Sequence, residues 1–192
     1  MAGLLVAGAA ALGQQLLASP SLASPSLGSL SPATPPPGVL DGGRFGESDG
    51  LLPAGATIHQ DELPGIAHLD PELLDALRRA EADGGVGFSV NSGWRSPAYQ
   101  EELLRQAVDD HGSEEEAARW VATAETSAHV SGDAVDVGPT DAADWLSRHG
   151  AGHGLCQVYR NEPWHFELRP EAVDDGCPRM YADPTEDPRM QQ

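Results

Sequence analysis

Apolar residues recur along this chain with two periods, one helical and one alternating, and each period predicts its own elements. Leu73, Leu74 and Leu77 form the apolar face of a helix that Asp70-Pro71 opens and Gly84-Gly85 closes. Phe88-Ser89-Val90 reads as a short strand that delivers Arg95 to its far end. Ser96-Pro97 opens a second helix, with Leu103, Leu104, Ala107 and Val108 inward and Gly112 as its stop. Ser113 and Glu116 have the spacing of a capping box, which predicts a third helix carrying Trp120 and Val121. Ala134 to Val137 is a strand, and Thr140 caps a helix that ends at Gly150 and buries Trp145 and Leu146. Leu155 to Tyr159 and Trp164 to Leu168 are two antiparallel strands joined by the Asn161-Glu162-Pro163 turn. On the last strand His165 and Glu167 share one face, while Trp164, Phe166 and Leu168 take the other. The succession predicts an α+β fold, with helices packed on a small antiparallel sheet.

Composition divides the chain. Residues 1–23 are largely apolar and resemble the apolar part of an export signal, with a membrane-anchored segment as the alternative. The positive start usual in such a signal is missing, the first basic residue being Arg44. Residues 24–50 are rich in Ser, Pro, Gly and Ala and read as a linker that cannot bury enough apolar surface to order itself. The folded domain is assigned to 51–170, and 171–192 to an acidic tail tied down by Cys177. The formal charge of -19, with 30 acidic residues against 11 basic ones, argues against a nucleic-acid partner. Cys156 and Cys177 have no metal-binding Cys spacing, and in an exported protein they are expected to form a disulfide rather than stay as free thiols.

The chemistry gathers in two stretches. Ser127 to Asp136 offers the imidazole of His129 and the carboxylate of Asp136, with Gly132 between them. Glu162-Pro163-Trp164-His165 offers a second imidazole and another carboxylate. His129, Asp136 and His165 make a ligand set that suits zinc and leaves a position open for water. Glu162 is then the spare carboxylate, placed to act on that water as general base. Residues seven apart fall on opposite faces of a regular strand, so His129 must lie in a bend before the strand, which Gly132 allows. His59, His68, His111 and His149 read as packing or surface histidines, with His153 undecided, and Asp133 as a solvent-facing neighbour of Asp136.

The spaced motifs Ser-x-His-x-x-Gly-x-Ala-x-Asp and Glu-x-Trp-His, preceded by Ser92-Gly93-Trp94-Arg95-Ser96 and Gln100, resemble the VanY-type D-alanyl-D-alanine carboxypeptidases. These belong with the wider group of zinc peptidases that includes lysostaphin and hedgehog-like domains. The resemblance covers roughly Ile58 to Arg169, and Trp94 stands where the family usually has Tyr. It implies a Zn2+-dependent hydrolase acting on the peptide stem of peptidoglycan, secreted or associated with the cell envelope. It also implies that Arg95, Gln100 and Ser127 bind the substrate's terminus or polarise its carbonyl. An L,D-carboxypeptidase, an endopeptidase or amidase of the same fold, and a non-catalytic cell-wall-binding module remain alternatives.

Overall fold

The computed structural model describes residues 44–191, so the apolar stretch at 1–23 and most of the linker at 24–50 lie outside the described residues. The described chain runs α1 (Pro64–Ala67), α2 (Pro71–Gly84), β1 (Ser89–Ser92), α3 (Pro97–His111), α4 (Glu114–Ala117), α5 (Ala128–Ser131), β2 (Ala134–Gly138), α6 (Thr140–His149), β3 (Leu155–Gln157), β4 (His165–Leu168) and α7 (Ala172–Asp175). Among the described residues no helix is long and apolar enough to cross a membrane.

Local chemistry accounts for the two long helices before the sheet closes. Asp70 accepts hydrogen bonds from Glu72 N and Leu73 N at the start of α2, and Gly85 ends it in the left-handed conformation. Ser96 caps α3 through Tyr99 N, and Gly112 ends it in the same way. The strands assemble in the order β1-β2-β4-β3, each pair antiparallel, as expected for the α+β class. Alternation along β2 and β4 separates two chemistries. Val135, Val137 and Phe166 join Leu73, Leu77, Ala142 and Leu146 in one buried apolar cluster with α2 and α6. Asp136, His165 and Glu167 alternate with them and are also buried, so both faces of this small sheet are covered.

Several expectations change, among them the cap of α6, whose N-cap is Pro139 with Thr140 as the first helical residue. Ser113 caps its helix by accepting from Glu116 N, but the helix lasts one turn, and Trp120 lies beyond it, partly exposed and stacked on His111. On α3 the fully buried positions are Tyr99, Gln100, Glu102 and Ala107, while Leu103, Leu104 and Val108 are half-buried. Leu104 and Val108 instead line a cavity of about 640 Å³ shared with Val121 and Met190. The acidic tail is anchored well beyond Cys177. The disulfide to Cys156 is present, and Tyr181 then bridges to Tyr159, Asp183 pairs with Arg119, and Arg189 reaches Glu167. A buried carboxylate such as Glu167 needs cationic partners, and the tail provides one that composition alone does not reveal. At the other end, Ser96 N and its hydroxyl both bond Asp49, so residues just before position 51 are held against the domain.

Gly132 is the turn on which the site depends. Its φ is +86°, and an added Cβ would lie 2.3 Å from the His68 carbonyl oxygen. Gly112 has a similar φ of +83° but open space around its Cβ position. Gly112→Ala is expected to cost about 1–2 kcal/mol, the price of a left-handed alanine, and Gly132→Ala distinctly more. Urea unfolding of both variants checks this, and equal losses would show that the His68 contact relaxes freely.

Candidate metal centre

Strand register alone brings the first two site residues together. Asp136 of β2 stands opposite His165 of β4, and cross-strand partners share a face. His165 Nδ1 lies 3.2 Å from Asp136 Oδ1 as a result. His129 arrives by a different route, as the bend anticipated from its spacing. It sits in the single turn of α5, and Gly132 then swings the chain into β2, leaving His129 Nε2 3.4 Å from Asp136 Oδ1. Candidate ligand atoms of His129, Asp136 and His165 lie within 4.8 Å of one another, and all three residues are buried.

Each imidazole is oriented by the nitrogen facing away from the cluster. His129 Nδ1 is 2.8 Å from the Gly93 carbonyl oxygen, and His165 Nε2 is 3.5 Å from Glu167 Oε1. Both partners only accept hydrogen bonds, so each outer nitrogen carries the proton and the inner one is directed at Asp136. Burial disfavours charge on His165, yet hydrogen bonds with Asp136 and Glu167 and the nearby Glu162 charge raise its pKa to about 10. The pocket between Asp136 and Glu162 therefore stabilises positive charge strongly. Burial, joined by the Arg95 charge, lowers the pKa of His129. Burial also opposes ionisation of Asp136, but His129, His165 and Arg95 outweigh it and hold the carboxyl well below the usual range.

Glu162 stands beside the candidate ligand set. Its Oε2 is 3.7 Å from His165 Nδ1, the same nitrogen that faces Asp136. Its Oε1 is buried with no hydrogen-bond partner among the described residues. Burial pushes the Glu162 carboxyl up to about 7, against the smaller lowering effects of His165 and Arg95.

The residues expected to meet substrate fall into different positions. Arg95 Nε donates to Ser92 Oγ, Nη1 to Gln100 Oε1 and Nη2 to Asp136 Oδ2. It is thus tied to the Asp136 carboxylate, with further N–H groups to spare. Gln100 is fully buried, its amide accepting from Arg95 and donating to the Ala122 carbonyl. Gln100 thus holds Arg95 through its amide oxygen. Ser127 is buried at the start of α5, and its side chain makes no capping bond to that helix. Asp133 is exposed and bonded to Ser131, outside the cluster. His59 pairs with Glu81, and His68 lies edge-on to Trp94. His149 and His153 both lie near the Trp145 ring.

Sequence reasoning missed the support behind His165. Glu167, Arg189, Asp187 and Tyr159 form one bonded group there, and the available signal was a glutamate two positions after a candidate ligand on the same strand face. The donor set itself fits zinc: two imidazoles and a carboxylate converge, their outer atoms are held, and the uncommitted buried oxygen of Glu162 lies beside them.

The sequence profile of the family described as VanY: D-alanyl-D-alanine carboxypeptidase matches residues 68–155, a span that includes His129 and Asp136. A D-alanyl-D-alanine carboxypeptidase of Enterococcus faecalis is 28% identical over 144 residues, covering 60% of this chain and 53% of that protein. The chain thus spans about half the length of that curated relative. Among solved structures, VanYB in complex with D-alanine-D-alanine gives a TM-score of 0.50 at 24% identity, covering 56% of this chain and 74% of that one. The LdcB LD-carboxypeptidase gives 0.50 at 21% identity, covering 67% and 72%. At these identities the two structures establish a shared fold.

The cluster is expected to take up about one zinc ion per chain, measured by elemental analysis after gel filtration. His165→Ala should abolish tight uptake, and unchanged stoichiometry in that variant would remove His165 from the ligand set.

Proposed function

We propose that this chain, which belongs to the VanY-type D-alanyl-D-alanine carboxypeptidase family, is a zinc-dependent carboxypeptidase that hydrolyses the terminal D-alanine peptide bond of peptidoglycan stem peptides. The observation that carries the reading is Glu162. A catalytic site needs a carboxylate near the ligands but not consumed by them, and Glu162 is buried beside His165 with one oxygen uncommitted. A simple cation-binding module would have no use for it.

His129, Asp136 and His165 would hold the zinc, which when bound supplies a Lewis acid for the scissile carbonyl and for water. Glu162 accepts the proton that the attacking water gives up and passes it to the leaving amine, so that free D-alanine departs. Water's oxygen ends on the carbonyl carbon, and both of the water protons are accounted for in the new acid and amine. The spare N–H groups of Arg95 and the Ser127 hydroxyl are assigned to the carboxylate at the peptide's end, since a guanidinium binds such a group with charge-assisted bonds. Gln100 keeps Arg95 in line for that contact. The disulfide Cys156–Cys177 accords with an oxidising compartment, and we assign the protein to the secreted or envelope-associated class.

Mass spectrometry of purified peptidoglycan after incubation identifies the bond cut. Loss of one D-alanine from pentapeptide stems is the expected result. Trimming of tetrapeptides would make the enzyme an L,D-carboxypeptidase, and cut cross-links or stems freed from sugar would make it an endopeptidase or amidase. Binding without cleavage would leave a wall-binding module.

Glu162→Gln is expected to lower kcat by about 10²–10⁴-fold while zinc content and KM stay near those of the parent. Because Glu162 works only when ionised, kcat/KM should climb as pH rises toward about 7 and then level. A bound dication favours the ionised form, so this limb lies no higher than that pH. A limb that survives unchanged in Glu162→Gln would assign it to another group.

A further inference from the structure

The tail returns to the sheet at one place of chemical consequence. Glu167 follows His165 by two positions on β4 and is almost wholly buried. Its Oε1 lies 3.5 Å from His165 Nε2 and accepts from Arg189 Nη2 at 3.1 Å. Its Oε2 accepts from Arg189 Nη1 at 2.7 Å and from Arg169 Nη2 at 2.6 Å. Arg189 therefore grips both oxygens of Glu167 in a two-pronged pair, whereas Arg169 reaches only the oxygen that faces away from the imidazole. Arg189 is in turn fixed from its other side. Its Nε donates to both oxygens of Asp187, at 3.1 and 3.0 Å, and Tyr159 donates its hydroxyl proton to Asp187 at 3.0 Å. Asp187 is fully buried, and the Tyr159 ring lies 5.2 Å from the His165 ring.

We infer that Arg189 is a positioning residue of the metal centre. From the C-terminal segment it clamps the Glu167 carboxylate against His165 Nε2 and so fixes the ring with Nδ1 toward Asp136. The inference rests on the zinc reading above and adds a part of the chain well outside the motifs that carry it. Without Arg189, the remaining cation on Glu167 is Arg169 on Oε2. The carboxylate is then free to turn away from the imidazole, and His165 loses the constraint that selects its nitrogen. Removing an outer partner of a ligating histidine typically weakens metal binding by about 10–100-fold. Arg189→Ala belongs at the lower end, about tenfold, because Glu167 itself remains.

The test compares four full-length proteins for zinc affinity by competition with a chromophoric chelator, for the visible spectrum with cobalt(II), and for metal-free thermal unfolding. They are the parent, Arg189→Ala, Arg189→Lys and Arg119→Ala. Arg119 anchors the same tail through Asp183 at 3.1 Å but does not touch Glu167, so it reports on tail docking alone. The expected result is zinc affinity about tenfold weaker in Arg189→Ala, a smaller loss in Arg189→Lys, an altered cobalt spectrum in both, and parental zinc affinity and cobalt spectrum in Arg119→Ala. Parental zinc affinity in Arg189→Ala would overturn the inference, as would an equal loss in Arg119→Ala. Should Arg189→Ala fail to fold, Arg189→Lys decides alone, since an ammonium keeps the charge but cannot bridge both oxygens; parental affinity and spectrum would overturn it. A parent protein that takes up no zinc would be distinguishable from these outcomes and would bring down the zinc reading itself.

Discussion

One carboxylate, that of Asp136, determines where the rest of the site can be. His129, His165 and Arg95 approach it from α5, from β4 and from the loop after β1. Both imidazoles address Oδ1, and the guanidinium takes Oδ2. The division gives one oxygen to the candidate ligand cluster and the other to a fixed cation, so the carboxylate cannot rotate without breaking one set. A buried charge is tolerated only when paired and hydrogen-bonded, which makes the arrangement mutually dependent. Asp136 in turn holds its place because β2 is the central partner of both β1 and β4.

The sheet is small, yet it performs two tasks on its two faces. The apolar face fixes β2 and β4 against α2 and α6, and a one-residue slip would drive Asp136 and His165 into that core. Site register and core packing are therefore one constraint. On the opposite face the charged residues need partners, and these come from Arg95, which Gln100 of α3 holds, from α5 and from the returning tail. Gly93 and Gly132 permit the close approaches there. A Cβ on Gly93 would meet the Gly65 carbonyl oxygen at 2.1 Å, and the Gly93 carbonyl is the group that orients His129.

Much of this was legible in the chain because the relevant signals are local. The caps at Asp70 and Ser96, the alternation through Val135, Asp136 and Val137, and the His165/Glu167 parity each follow from a few neighbouring residues. The bend at Gly132 followed from an odd spacing combined with the need for a shared ligand site. What escaped was non-local. The Ser113 cap started a helix, but nothing local showed that it would stop after one turn. The bonds that hold Gln100, to Arg95 and to the Ala122 carbonyl, depend on how the segment after α4 folds back. The tail was read as an acidic segment tied down by Cys177, and only the three-dimensional fold reveals that Arg189 meets Glu167 across a separation of 22 residues.

The account stands or falls on the ligand set converging at Asp136, and X-ray absorption at the zinc edge of the loaded full-length protein tests that most directly. It predicts two imidazole nitrogens and light oxygen donors, with no sulfur, and the loss of one imidazole contribution in His129→Ala. A sulfur-containing shell, or an unchanged spectrum in that variant, would contradict it.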